Sequence, residues 1–349
     1  MNTRLPLLLL LAPILVHAQG PSPSPSPAPA VLEEMDSYER LEALDAEQIK
    51  LATETIRANH AEASALDETG MARATLRGLL EGLYPGAELT GGEDAKPESS
   101  PFRAEILDGR VGYVRLGSIS SESIAQLDSA LQDFAPKKTE GVVLDLRATP
   151  TSEDFPLAAQ VCERFVPNGT ALFTLVRPAE KQEKLFTSSR VPSFQGVIVV
   201  LVDKDTAGAA EAVAAALRGS AKAMVVGTNT SGRAVEFASI PLGGGHNLRY
   251  AVAEVRVAGL PAIYPRGIEP DLVVQQSPED KKAILDGALE KGIATFVFEN
   301  ERVRMNEAAL VAGTNPEIDA EQSSAQLLDR PLQRAVDLVT AIKLFRKRG

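Results

Sequence analysis

Val197 to Val202 reads VIVVLV, an unbroken aliphatic run. A strand of that kind is buried on both faces, and this commits the chain to a layered α/β architecture. The polar residues Asp203 to Asp205 turn the chain into an Ala-rich stretch, Thr206 to Arg218, which reads as a helix. Asp205 or Thr206 is placed to cap its first turn, and Glu211 lies near the positive end of its dipole. A second apolar strand, Ala223 to Val226, leads into a Gly- and Thr-rich turn carrying Arg233. Strand, tight turn, helix and strand make a βαβ unit, and α/β proteins place their sites at helix N-termini beside strand ends.

The same alternation runs on both sides of this unit. Arg110 to Leu116 and Gly141 to Arg147 read as strands, followed by helices over Ser121 to Phe134 and about Phe155 to Phe165. Ala171 to Val176 is a further strand. Phe237 to Leu242 and Asn247 to Val257 read as strands joined by Gly243-Gly244-Gly245, a hairpin signal. Helical periodicity covers Leu32 to Arg57, with an apolar stripe of Leu41, Leu44, Ile49, Leu51 and Ile56, and then Thr69 to Leu83, Pro278 to Ala294 and Asp329 to Phe345. Gly91 to Ser100 is a polar linker.

Several of these segments resemble the carboxyl-terminal processing (tail-specific) serine peptidases. Asp205 to Glu211, DTAGAAE, lines up with the family's G-[ST]-A-S-A-[SA]-E, and Gly227 to Arg233, GTNTSGR, with its G-x-x-[TS]-x-G-K. GYVRLGSI, GVVLDLRATP and Arg266 to Val274, RGIEPDLVV, are similar to further family elements, and DRPLQRAVDLV resembles the closing one. The resemblance implies a crotonase-like (ClpP/crotonase-type) α/β core of stacked ββα units with a helical N-terminal segment beside it. It also implies a short member without the PDZ domain of many relatives, because the core begins almost at once with Phe102.

By that alignment the family's nucleophilic serine falls on Gly208 and its general-base lysine on Arg233. Glycine has no side-chain oxygen, and a guanidinium keeps its proton at neutral pH where a buried lysine can be tuned to lose it. The family's R-N-x-P-G-G loop, which supplies an oxyanion-hole amide, reads here Arg147 to Ser152, RATPTS, so Thr151 and Ser152 replace both glycines. The expectation is a degenerate Ser/Lys site: an inactive pseudopeptidase that binds peptides or protein partners through a retained cleft. Arg233 is either a solvent-facing turn residue or the contact for a peptide carboxylate. The alternative is an active, divergent serine-type endopeptidase using another hydroxyl, Thr206 or Ser231, which otherwise read as a helix cap and a turn residue. A Ser-His-Asp arrangement would have to recruit His60 or His246, and Glu211 reads as a helix-end charge rather than a general acid.

No Cys/His cluster has metal-ligand spacing, so no metal or cofactor is expected. A net charge of -11 argues against a nucleic-acid partner. The expected partner is a polypeptide or protein C-terminus. Arg4 followed by the apolar run Leu5 to Val16 and by Val16-His17-Ala18 reads as a secretory signal peptide cut after Ala18, with no stable membrane span once it is removed. This places the protein outside the cytoplasm, periplasmic or secreted. The expected organisation is a signal peptide at 1–18, a Pro/Ser-rich linker at 19–31 and a helical N-terminal segment with polar linker at 32–100. A tail-specific-protease-like core at 101–277 and a C-terminal helical segment at 278–349 complete it. The lone Cys162 reads as a buried small hydrophobe.

Overall fold

The structure, a computed structural model, describes residues 41–60, 66–91, 100–298 and 327–348. The expected signal peptide and Pro/Ser-rich linker, and most of the polar linker, lie outside the described residues. The chain divides into two compact units, Met1–Arg73 and Ala74–Gly349.

In the first unit, helix α1 (Ala46–Asn59) starts at a capping box, Asp45 accepting the Gln48 amide while the Gln48 side chain accepts that of Asp45. No residue of α1 is buried, and the stripe of Leu41, Leu44, Ile49, Leu51 and Ile56 is exposed. Helix α2 (Glu68–Gly82) crosses from the first unit into the second.

The second unit is built on a large sheet and a small one. The strands, in chain order, are β1 (Ala87–Gly91), β2 (Arg103–Leu107), β3 (Val111–Arg115), β4 (Gly141–Asp145), β5 (Ala171–Arg177), β6 (Gln182–Thr187), β7 (Val197–Val202), β8 (Met224–Gly227), β9 (Val235–Gly243), β10 (His246–Arg256) and β11 (Leu272–Val273). The large sheet runs β11-β8-β7-β4-β3-β2, parallel except for β2. Its central strand is the aliphatic run. Ile198, Val200 and Val202 face one core, while Val197, Val199 and Leu201 face another.

Each face is covered by helices. Against the first lie α3 (Ser121–Phe134), α4 (Phe155–Glu163) and α5 (Ala209–Ala221); against the second lie α6 (Pro278–Lys291), a 3-10 turn (Ile293–Phe296) and α7 (Arg330–Arg348). Helix α5 is buried all round from Ala209 to Leu217, which explains its alanines: small side chains let it sit close against α4 and the sheet. Cys162 is buried in the same core, as expected of a small hydrophobe, and burial pushes its thiol up. The small sheet is antiparallel, with β10 as its hub. β10 pairs with β9 along one edge and with β1, then β5, along the other. The strands β1, β2, β6 and β11 are additions to the expected set. They are short and only partly buried, so they carry little aliphatic signal.

Candidate functional site

The parallel strands β4, β7 and β8 deliver three loops to one place: Asp145 to Asp154, Asp203 to Gly208 and Thr228 to Arg233. The middle loop folds on itself. The Asp203 amide donates to Thr206 Oγ1 at 3.0 Å, the Thr206 amide to the Asp203 carbonyl at 3.0 Å, and the Asp205 amide to Asp203 Oδ1 at 3.0 Å. The cap expected from Asp205 or Thr206 is therefore made elsewhere. Thr206 is buried and its hydroxyl serves this turn, while α5 begins three residues later with Gly208 as N-cap.

Gly208 stands at φ 60° and ψ -123°, a conformation open to glycine and costly for other residues. Its amide donates to Glu211 Oε2 at 3.2 Å. The next amide, Ala209 N–H, donates to the Ser152 carbonyl at 2.7 Å, and Ser152 pairs with Gly208 in an isolated parallel bridge. A Cβ built on Gly208 would lie 2.4 Å from that same carbonyl oxygen. The two amides at the helix N-terminus are thus occupied by the chain's own acceptors.

Glu211, buried one turn into α5, gathers the third loop. It accepts the amides of Gly232 and Arg233 at 2.8 and 2.7 Å, and the hydroxyls of Thr230 and, at 3.3 Å, Ser231. Burial raises its pKa, partly offset by these hydrogen bonds. Gly232, at φ 72°, backs onto the Pro265 carbonyl with no space for a Cβ. Thr230 Oγ1 also accepts the Ile268 amide at 2.7 Å, which joins the G-T-N-T-S-G segment to the G-I-E-P-D segment. Glu211 is more than a helix-end charge. It is the acceptor that fixes the helix N-terminus to the turn bearing Arg233.

Arg233 gives one terminal nitrogen to Glu88 of β1 at 2.8 Å, and its guanidinium lies 5.3 Å from the Phe237 ring. Glu88 is shared with Arg249 of β10 at 2.7 Å, and Arg249 holds Glu153 at 2.7 Å from its other nitrogen. The remaining oxygen of Glu153 accepts the Phe237 amide at 2.9 Å. Alternating arginines and carboxylates thus run from the third loop across the small sheet to the first loop. Sequence reasoning missed Glu88, Glu153 and Arg249, whose partners are far apart in the chain and whose strand β1 was not anticipated.

Beneath the first loop, Arg147 is buried between Asp145 and Asp329, bonded to each through two nitrogen–oxygen pairs of 2.7–2.9 Å. Tyr113 donates to Asp145 Oδ2 at 2.9 Å. Burial would raise the Asp145 pKa, but the charge and hydrogen bonds of Arg147 hold it below the ordinary value. This is what the Asp-Leu-Arg at the end of β4 does: it anchors the loop to the C-terminal segment.

A cavity of about 450 Å³ opens between these loops, lined by Thr149, Thr151, Ala207, Ser231, Arg233 and Lys281 among others. Thr151, Ser231 and Arg233 line it, Ser152 and Gly208 are paired with each other on the adjoining loops, and Thr206 is buried. His60 belongs to the first unit, and His246 opens β10. Lys281 of α6 is held at 2.6 Å by both Asp203 and Asp205. Its burial favours the neutral amine, but these carboxylates outweigh that and raise its pKa, so it keeps its proton. Among the described residues no cluster of His, Cys, Asp or Glu is arranged to hold a metal ion, and no helix is long and apolar enough to cross a membrane.

Residues 110–274 match the model of peptidase family S41. Among curated proteins the chain is similar to the carboxyl-terminal-processing protease of Synechocystis sp., 29% identical over 181 residues, which is 51% of this chain and 42% of that protein. It is 30% identical over 179 residues to the carboxy-terminal-processing protease of Bartonella bacilliformis, covering 50% of this chain and 41% of that one. The chain therefore spans less than half the length of these relatives. Among solved structures it resembles a photosystem II D1 C-terminal processing protease with a TM-score of 0.42 and 22% identity, over 60% of this chain and 53% of that one.

Proposed function

The chain carries a peptidase family S41 domain over residues 110–274, and from that premise we propose that it is an exported pseudopeptidase. In this reading it keeps the cleft of a carboxyl-terminal processing protease and uses it to bind polypeptides or protein C-termini without hydrolysing them. One observation carries the proposal. Gly208, aligned with the nucleophile, has no side-chain oxygen, and the amides of Gly208 and Ala209 are bonded to Glu211 and to the Ser152 carbonyl.

Acyl transfer needs a nucleophile, a base and unoccupied donors where the oxyanion forms. Of the cationic side chains lining the cleft, Arg147 and Arg233 are guanidiniums, Lys281 keeps its proton between two aspartates, and Lys204 is an exposed side chain paired with Asp205 at 3.6 Å. Loss of a single oxyanion donor typically costs about 10²–10³ in turnover, so loss of all three elements leaves nothing above background. The retained cavity and the chemistry of the relatives support a polypeptide ligand, with Arg233 as the contact for its carboxylate.

Purified protein should neither cleave casein or C-terminally tailed peptides nor label with a fluorophosphonate. Labelling or cleavage abolished by Ser231→Ala or Thr206→Ala would install an active divergent endopeptidase instead. In favour of that alternative stands the position of Ser231, which lines the cavity with its hydroxyl 3.3 Å from Glu211. Glu211 already accepts four other donors and is a poor base for it. Export rests on the N-terminal signal pattern, and N-terminal sequencing of native protein should begin at Gln19; retention of Met1 or Asn2 would refute it.

A further inference from the structure

We propose that Thr151 to Glu153, at the border of the cleft, is an internal stand-in for a partner chain, and that the same seat takes an extended peptide whose acidic side chain displaces Glu153. This rests on the peptide-binding reading above and names the chemistry of its ligand. The segment behaves as a bound peptide would. Ser152 bridges Gly208 in parallel register and its carbonyl takes the Ala209 amide at 2.7 Å. The next residue, Glu153, puts one carboxylate oxygen on the Phe237 amide at 2.9 Å and the other on Arg249 Nη2 at 2.7 Å. Phe237 of β9 lies opposite Ala251 of β10, beside a register shift between Ala251 and Ala253, and its amide is taken by the Glu153 side chain. Among the described residues β9 pairs with β10 alone, so its other edge is where an added strand would bond.

A backbone amide does not distinguish an acceptor of its own chain from one of another chain. The donor set asks for a main-chain carbonyl followed directly by a carboxylate. Arg233 and Arg249 lean on the same Phe237 ring, at 5.3 and 4.6 Å, and share Glu88, so Glu153 is the second negative charge that balances the pair. When Glu153 leaves, one positive charge is uncovered at the seat, and an incoming carboxylate restores the balance where an amide cannot. The side chains of Glu153 and Arg249 are 32% and 31% exposed, so the exchange proceeds at the surface without opening the core. The closed arrangement is also imperfect: Thr149 Oγ1 and Arg233 Nε, both beside the cavity, are buried with no hydrogen-bond partner. Each such group opposes the closed state.

An internal competitor weakens the apparent affinity of any external one. The test is calorimetric titration of a capped Ala-Thr-Ser-Glu-Ala-Ala peptide, and of its Gln counterpart, into wild type and Glu153→Ala. The acidic peptide should bind the variant at least tenfold more tightly than wild type, and at least tenfold more tightly than the Gln peptide does. Arg249→Met added to Glu153→Ala should erase the acidic preference, and hydrogen exchange at the Phe237 amide should speed up in Glu153→Ala and slow again with acidic peptide. Equal binding of both peptides to both proteins overturns the seat while leaving a peptide-binding cleft. Absence of binding to either protein overturns the peptide-binding reading itself. Should Glu153→Ala fail to fold, the size-matched Glu153→Gln is read by the same criteria.

Discussion

Substituting Gly208→Ser, which would place a hydroxyl where the family resemblance puts the nucleophile, should destabilise the protein and, on the pseudopeptidase proposal, give no turnover. Two costs are worked from the backbone. At φ 60° and ψ -123° a residue with a Cβ stores about 1–3 kcal/mol of strain. The Cβ also arrives 2.4 Å from the Ser152 carbonyl oxygen, a backbone atom that moves only if the loop moves, and forced overpacking of this kind costs roughly 1–3 kcal/mol. The sum is about 2–6 kcal/mol, and at about 2–4 °C per kcal/mol a central cost near 4 kcal/mol lowers Tm by roughly 8–16 °C. Differential scanning calorimetry of wild type, Gly208→Ser and Gly208→Ala measures it. The two variants should fall together, because the cost lies in the Cβ and not in the hydroxyl. A Gly208→Ser protein melting within about 2 °C of wild type would refute the reasoning, since it would mean that Ser152 does not press on position 208. Adding Arg233→Lys should not restore turnover while Ser152 still holds the Ala209 amide.

Arg147→Met should cost about 3–5 kcal/mol in urea unfolding, because it strands the buried carboxylates of Asp145 and Asp329 together. The acid side of the stability profile should carry the mark of Asp145. Its carboxyl titrates below the unfolded value of 3.8, so its stabilisation is complete above that pH and drains as pH falls toward the folded value. The wild-type urea midpoint should therefore drop more steeply than that of Asp145→Asn as pH falls below about 4. Thr206→Val should lose about 1–3 kcal/mol by leaving the Asp203 amide without its acceptor. A denaturation midpoint unchanged by that substitution would remove the turn-building role given to the hydroxyl.

The layered fold was legible because it is written in local pattern. VIVVLV marked the central strand to the residue, and Ser121 to Phe134 marked α3 at both ends. The start of α5 was misplaced for a physical reason. Thr206 and Asp205 have good capping side chains, but the tertiary position of Glu211 supplies the cap from inside the helix, and Gly208 bends where neither residue can. Gly208 and Arg233 could be singled out from the sequence because each is an absence, of an oxygen or of a neutral amine, and an absence is visible in one dimension. The arrangement of Glu88, Arg249 and Glu153 was not visible, because each is an ordinary surface charge until β1 and β9 flank β10. The exposed stripe of α1 shows the limit from the other side: helical periodicity announces an apolar face but does not say what will cover it.

The bond between Arg147 and Asp329 closes a loop of 182 residues. Strand β4 and its arginine are made first, whereas the carboxylate that completes their neutralisation follows 182 residues later. At about 5–20 residues per second of synthesis, the wait is roughly 10–35 s. During that interval one face of the central sheet has no α7, and Arg147 has only Asp145 for a partner. A nascent chain halted before Asp329 should remain sensitive to protease, and resistance at that length would show that the sheet settles without its tail. The order of manufacture thus decides when Arg147 gains its second carboxylate and when that face of the sheet gains its cover.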